Sequence, residues 1–132
     1  MNKVIARFAD GRMIRGVTAD FSPMKDLFHL SDANAPAGTK SIVIKTNELK
    51  ALFFVKDFAG NPQHKKSNEF DYAHPPIGRK IKVIFHDGEV LVGTTTGYQP
   101  ERPGFFLVPA DAGANNERCY IVAAATKEVS FV

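Results

Sequence analysis

The chain has 132 residues, a formal net charge of +3 and the apolar content of an ordinary globular protein, which excludes a mainly disordered chain. No apolar run approaches the roughly 20 residues a bilayer-spanning helix needs, and a strand pattern that starts at Val4 leaves no room for a signal peptide. Cys119 stands alone, so an intramolecular disulfide is impossible and a reducing, cytoplasmic setting is expected.

Val4, Ala6 and Phe8 alternate with Ile5, Arg7 and Ala9, the period of a half-buried strand. Asp10-Gly11 supplies the backbone angles of a tight turn, and a second strand runs from Arg12 through Gly16 to about Phe21. The mid-strand Gly16 predicts a bulge or sharp bend. Ser22-Pro23 interrupts the pattern, and Leu27 to Ser31 resumes it with Phe28 and Leu30 on one face. Asn34 to Gly38 reads as a loop, Ser41 to Thr46 as a strand, Thr46 to Glu48 as a one-turn break, and Ala51 to Val55 as a fifth strand. Gly60-Asn61-Pro62 and His74-Pro75-Pro76 give turn chemistry to a connector whose middle, Gln63 to Tyr72, has room for a helical turn. Five further strands are expected at 80–86, 89–98, 104–109, 118–123 and 128–132.

These second five strands repeat the first. Asp10-Gly11 recurs as Asp87-Gly88, and the same offset of 77 places Phe8 on Phe85, Gly16 on Gly93, Phe21 on Tyr98, Pro23 on Pro100 and Phe54-Val55 on Phe131-Val132. Such a match predicts a duplicated unit: copy one over 1–56, a connector over 57–78 and copy two over 79–132. Units of this size are marginal alone, so mutual packing is expected.

The copies differ in charge. Residues 1–56 carry nine Lys/Arg against five Asp/Glu, while 79–132 carry six of each. Four outward positions that are polar in copy one are apolar in copy two: Arg7 becomes Ile84, Arg15 becomes Val92, His29 becomes Phe106 and Lys45 becomes Val122. Strands apolar on both faces are usually covered on both, so the outer face of copy two at Ile84, Val92, Phe106 and Val122 is expected to be buried. Phe53-Phe54-Val55 reads as an apolar edge segment suited to pairing with another strand.

Catalytic chemistry finds little support. A glycine-rich phosphate loop, a cysteine pair and zinc-type histidine spacing are all missing from the sequence; Cys119 aligns with Ile42 and reads as a core residue. Asp10 and Asp87 are explained by their turns. No catalytic residue, cofactor or metal is therefore expected. Asp20-x-Ser22 resembles part of the signature of the PilZ domain, which implies cyclic-dinucleotide sensing, but the upstream Arg-rich stretch is absent and copy two lacks the motif.

Each copy resembles an Sm-like (LSm) small barrel. The stretch from Val4 to Gly16, with Phe21-Ser-Pro-Met24 and Leu27-Phe-His-Leu30, is similar to the family's first motif, and Asn47 to Val55 takes the place of its second. The resemblance implies two five-stranded, strongly bent SH3-like or Sm-like barrels in tandem, packed as a pseudo-dimer. It also implies RNA binding by rings joined through edge strands. Lys25 and Arg102 stand where the family's turn has Asn, and Thr46-Asn47 where it has Arg-Gly. The expected function is a non-enzymatic binding or assembly module whose partner is another protein or itself. The alternative is an RNA-binding module whose phosphate contacts are Arg7, Arg12, Arg15, Lys25, Lys45 and Lys50.

Overall fold

A computed structural model describes residues 1–59, 70, 77–111 and 115–132. The expected helical turn within the connector, and the stiff Pro75-Pro76 segment, lie outside the described residues. The chain is all-β. Its strands are β1 (Asn2–Phe8), β2 (Met13–Thr18), β3 (Leu27–Asp32), β4 (Ile42–Lys45), β5 (Leu49–Val55), β6 (Arg79–Phe85), β7 (Val90–Thr95), β8 (Gly104–Pro109), β9 (Asn116–Val122) and β10 (Thr126–Phe131). One-turn 3-10 helices at Thr46–Glu48 and Ala123–Ala125 join β4 to β5 and β9 to β10.

The ten strands form one open antiparallel sheet in the order β10-β6-β7-β8-β9-β5-β1-β2-β3-β4. Reading outward from the centre, β1–β5 run β5-β1-β2-β3-β4 and β6–β10 run β9-β8-β7-β6-β10, so within each half the last strand lies beside the first. Two barrels packed as a pseudo-dimer are expected from the sequence; the described strands form one continuous sheet in which β5 hydrogen-bonds to β9.

Local chemistry recurs between the halves. The Phe8 N–H donates to Arg12 O and the Gly11 N–H to Phe8 O; Phe85 with Glu89, and Gly88 with Phe85, repeat this turn. Gly11 and Gly88 carry φ of +97° and +91°, a region that disfavours a side chain, so the Asp-Gly pairs sit where the backbone needs them. The Thr18 hydroxyl donates to His29 O and the Thr95 hydroxyl to Phe106 O, bracing the bend between the second and third strand of each half. Gly16 and Gly93 lie so close to the facing strand that a Cβ would run into the carbonyl oxygens of Ser31 and Val108. The mid-strand glycines therefore have a close-packing cause, while the β1–β2 and β6–β7 registers run through them without a bulge.

Two hydrophobic cores follow from strand alternation. The first gathers Val4, Ala6, Phe8, Phe28, Leu30 and Ile44 with Leu49, Leu52 and Phe54 of β5, and is completed by Tyr120 and Val122 of β9. The second gathers Ile81, Val83, Phe85, Leu91, Phe105, Leu107, Cys119 and Ile121, and is completed by Ala51, Phe53 and Val55 of β5. Every residue of β5 is buried. Successive side chains of a strand point to opposite faces, so β5 feeds both cores at once. Each half thus borrows residues from the other.

The junction between the halves and the open sheet edges

The junction is a strand ladder with side chains locked across it. β5 and β9 pair as Ala51↔Ile121, Leu52↔Tyr120, Phe53↔Cys119 and Phe54↔Arg118. Beyond a register shift, Val55 pairs with Asn116. Just past β5, the Lys56 N–H donates to Asn115 O, and the Asn115 amide exchanges hydrogen bonds with the backbone of Asp57. On one face Phe21 lies edge-on to four rings: Phe28 at 5.2 Å and Phe54 at 5.8 Å from its own half, Tyr120 at 5.2 Å and Phe106 at 6.3 Å from the other. Edge-to-face pairs of this kind add stabilisation beyond area burial. The Arg118 guanidinium covers Phe54 and Phe106 at 4.4 and 4.7 Å.

Lys50 ties the halves electrostatically. Its side chain is only 9% exposed, and its ammonium donates to Asp87 Oδ2 at 2.7 Å and to a Glu89 carboxylate oxygen, both on the β6–β7 turn. It also lies 4.6 Å from the Phe85 ring centre. The Lys50 hydrogen bond, followed by the Glu89 backbone N–H, holds the Asp87 carboxyl below its ordinary value of 3.8.

The six basic residues singled out by sequence separate into distinct settings. Lys50 is committed to this junction. Arg12 pairs with Asp10 at 2.7 Å and covers the Phe8 ring. Arg7 and Arg15 share the outer face of β1 and β2, where β1 pairs Ile5 with Arg15 and Arg7 with Met13, and Arg7 approaches the Phe53 ring at 6.0 Å. Lys25 and Lys45 come together with Asn47 at a cavity of about 480 Å³ between the halves, whose far wall is Pro103, Tyr120, Val122 and Ala123.

The outer face of copy two is covered to different degrees. Val122 is buried in the first core and Phe106 packs against it, while Ile84 and Val92 are half-buried. Phe53, Phe54 and Val55 do pair with another strand, but within the chain. That places β5 at the centre of the sheet, and among the described residues the free edges are β4 and β10. Both edges expose apolar side chains: Val43 is 56% exposed and Ile42 38%, Phe131 41% and Val132 66%.

Asp20 of the Asp-x-Ser stretch is occupied structurally. It accepts from the His29 backbone N–H at 2.9 Å, pairs with His29 Nδ1 at 2.7 Å and lies 3.2 Å from the Thr18 hydroxyl oxygen. The His29 N–H and ring together hold its carboxyl below the ordinary 3.8. Cys119 is fully buried, with its thiol facing Leu107 O at 3.6 Å. Among the described residues no group of His, Cys, Asp and Glu could hold a metal ion, and no helix is long and apolar enough to cross a membrane.

Sequence reasoning missed Phe21 as the hub of the junction, Arg118 as its cover and Lys50 as its ion pair. Phe21 was visible as an aromatic recurring at Tyr98, but the two rings it takes from the other half depend on a pairing between strands far apart in the chain.

The fold and its edges define an all-β protein with one open ten-stranded sheet and two interlocked cores. Residues 1–132 match a family described as a family of unknown function (DUF6982), and the chain belongs to it. No curated protein and no solved structure matches the chain.

Proposed function

We propose that this protein is a non-enzymatic assembly module that takes a partner's strand along the open edges of its sheet. The observation that carries the reading is the state of β4 and β10: among the described residues each is paired on one side only, and each exposes apolar side chains along that open side. Such edges are templates for strand addition unless they are blocked. β4 offers Ile42 and Val43 with Lys45 at its end, and β10 offers Phe131 with Lys127 and Glu128. The five-strand order common to both halves, with its recurring turns and bends, supports the reading of two Sm-like or SH3-like units packed as a pseudo-dimer.

A peptide of residues 126–132 offered to the full chain tests the reading. Amide hydrogen exchange over 42–45 is expected to slow on its addition, and Val43→Lys to abolish the effect. Unchanged exchange over both β4 and β10, with this peptide and with one of residues 39–46, would remove the proposal.

A second reading, contact with RNA, draws on Lys25, Lys45 and Asn47 lining one cavity with an apolar far wall, where Asp26 also stands. That arrangement suits a phosphate beside a base. Affinity for a single-stranded oligonucleotide should then fall steeply with salt and fall again in Lys25→Ala/Lys45→Ala. No retention at low salt would eliminate it.

A further inference from the structure

We infer that the strand accepted at each open edge belongs to a second copy of this chain, and that the copies add head to tail with β10 of one molecule against β4 of the next. This rests on the edge-pairing reading above and supplies its partner, polarity and register.

The junction inside the chain is the template. β5 pairs with β9 in register, and the offset of 77 carries β5 onto β10 and β9 onto β4. The strands that correspond to the junction pair are therefore the two that end the sheet, each with one open side among the described residues. Transferring the register places Glu128 opposite Ile44, Val129 opposite Val43, Ser130 opposite Ile42 and Phe131 opposite Ser41. β9, paired on both sides, spans seven residues, whereas β4 spans four. A partner would extend β4 toward Lys40.

Side chains tell the same story. Tyr98, the counterpart of Phe21, already lies edge-on to Phe105 at 4.8 Å and to Phe131 at 5.7 Å. This reproduces the half of the Phe21 cluster that comes from its own copy. The other half, supplied at the internal junction by Phe106 and Tyr120, corresponds to His29 and Val43 of a following molecule. Both are exposed in the single chain. Lys127 takes the position of Lys50 and Asp10 that of Asp87, but Asp10 is already held by Arg12, so only part of the charge tie recurs.

Four exchanges make the outer junction weaker than the inner one. Glu128 replaces the buried Ala51, Ser130 replaces Phe53, Ser41 replaces Arg118, and Arg12 replaces Glu89 beside the lysine. Association between molecules is thus reversible, while the inner joint is permanent. Contacts of this head-to-tail kind close into rings or continue as filaments.

Two full-length variants, Ser130→Cys and Ile42→Cys, mixed under mild oxidation test polarity and register together. The expected result is a disulfide-linked dimer from the mixture, little product from either variant alone, and less from Ser130→Cys mixed with the out-of-register Val43→Cys. Independently, Ser130→Phe should tighten self-association about tenfold by light scattering, the effect of burying one large side chain. Efficient cross-linking of Ser130→Cys with itself would mean two-fold pairing and would overturn the inference. So would a chain that stays monomeric at every concentration with Ser130→Phe in place. In that last case slowed exchange of β4 with the peptide would still uphold edge pairing, so the two failures are distinguishable.

Discussion

Lys50 carries its charge into a site from which water is largely excluded, and Asp87 and Glu89 make that tolerable. Breaking a buried pair from one side costs more than replacing it by an apolar side chain. Asp87 and Glu89 reach Lys50 from the solvent side, their side chains 56% and 35% exposed, so Asp87→Asn/Glu89→Gln is predicted to cost about 1–2 kcal/mol, whereas Lys50→Met should stay within about 1 kcal/mol of the native chain, both read by urea unfolding. The same contact has a pH signature. The folded Asp87 carboxyl lies below 3.8, so its contribution is fully present above that value and is lost as pH falls through the folded one. Asp10, held down by the Arg12 backbone N–H and guanidinium, and Asp20 behave alike. Between pH 5 and pH 2 the urea midpoint should fall, and Lys50→Met should flatten that fall because it removes the first cause of the Asp87 shift. An unchanged slope in the variant would refute the assignment.

β5 is the element on which both cores depend. Leu52→Ala faces the first core and Phe53→Ala the second, and each is predicted to cost roughly 3 kcal/mol in urea unfolding, the usual scale for such truncations. The informative difference lies in location: Phe53→Ala should speed native-state amide exchange in β6 and β9, which belong to the half that does not contain it. Exchange raised only in β1 and β2 would contradict a shared strand. Most strands were legible in the sequence because one face is apolar and the other is not, as in Val4-Ala6-Phe8. Leu49–Val55 lacks that alternation, and a continuous apolar run does not say whether its second face meets a neighbour in the same chain or in another. Lys50, the second residue of that strand, reads as a mark of exposure when its partners lie on a turn 37 residues away. The expected edge at Phe53–Val55 was thus a true pairing strand assigned to the wrong partner. Of the six basic residues, the meeting of Lys25 and Lys45 was hidden for the same reason, since the cavity between them is walled by the other half.

The two halves look separable in sequence and are not separable in packing. Tyr120 and Val122 complete the first core, and Ala51, Phe53 and Val55 the second. The whole molecule should therefore unfold in one cooperative step. Probes placed in each half, for example tryptophans at Phe21 and Tyr98, should report coincident urea transitions, and two resolved transitions would show that the cores are independent. An excised 1–56 fragment would leave Ala51, Phe53 and Val55 facing water, an apolar strand edge of the kind that aggregates.

The shared strand also sets a timetable on the ribosome. β5 leaves the exit tunnel well before β9, and synthesis of the intervening chain takes several seconds at about 5–20 residues per second. Throughout that interval the nascent first half displays its most apolar strand without its partner. Slower translation across this stretch should lower soluble yield, and a chaperone that shields extended apolar segments should restore it.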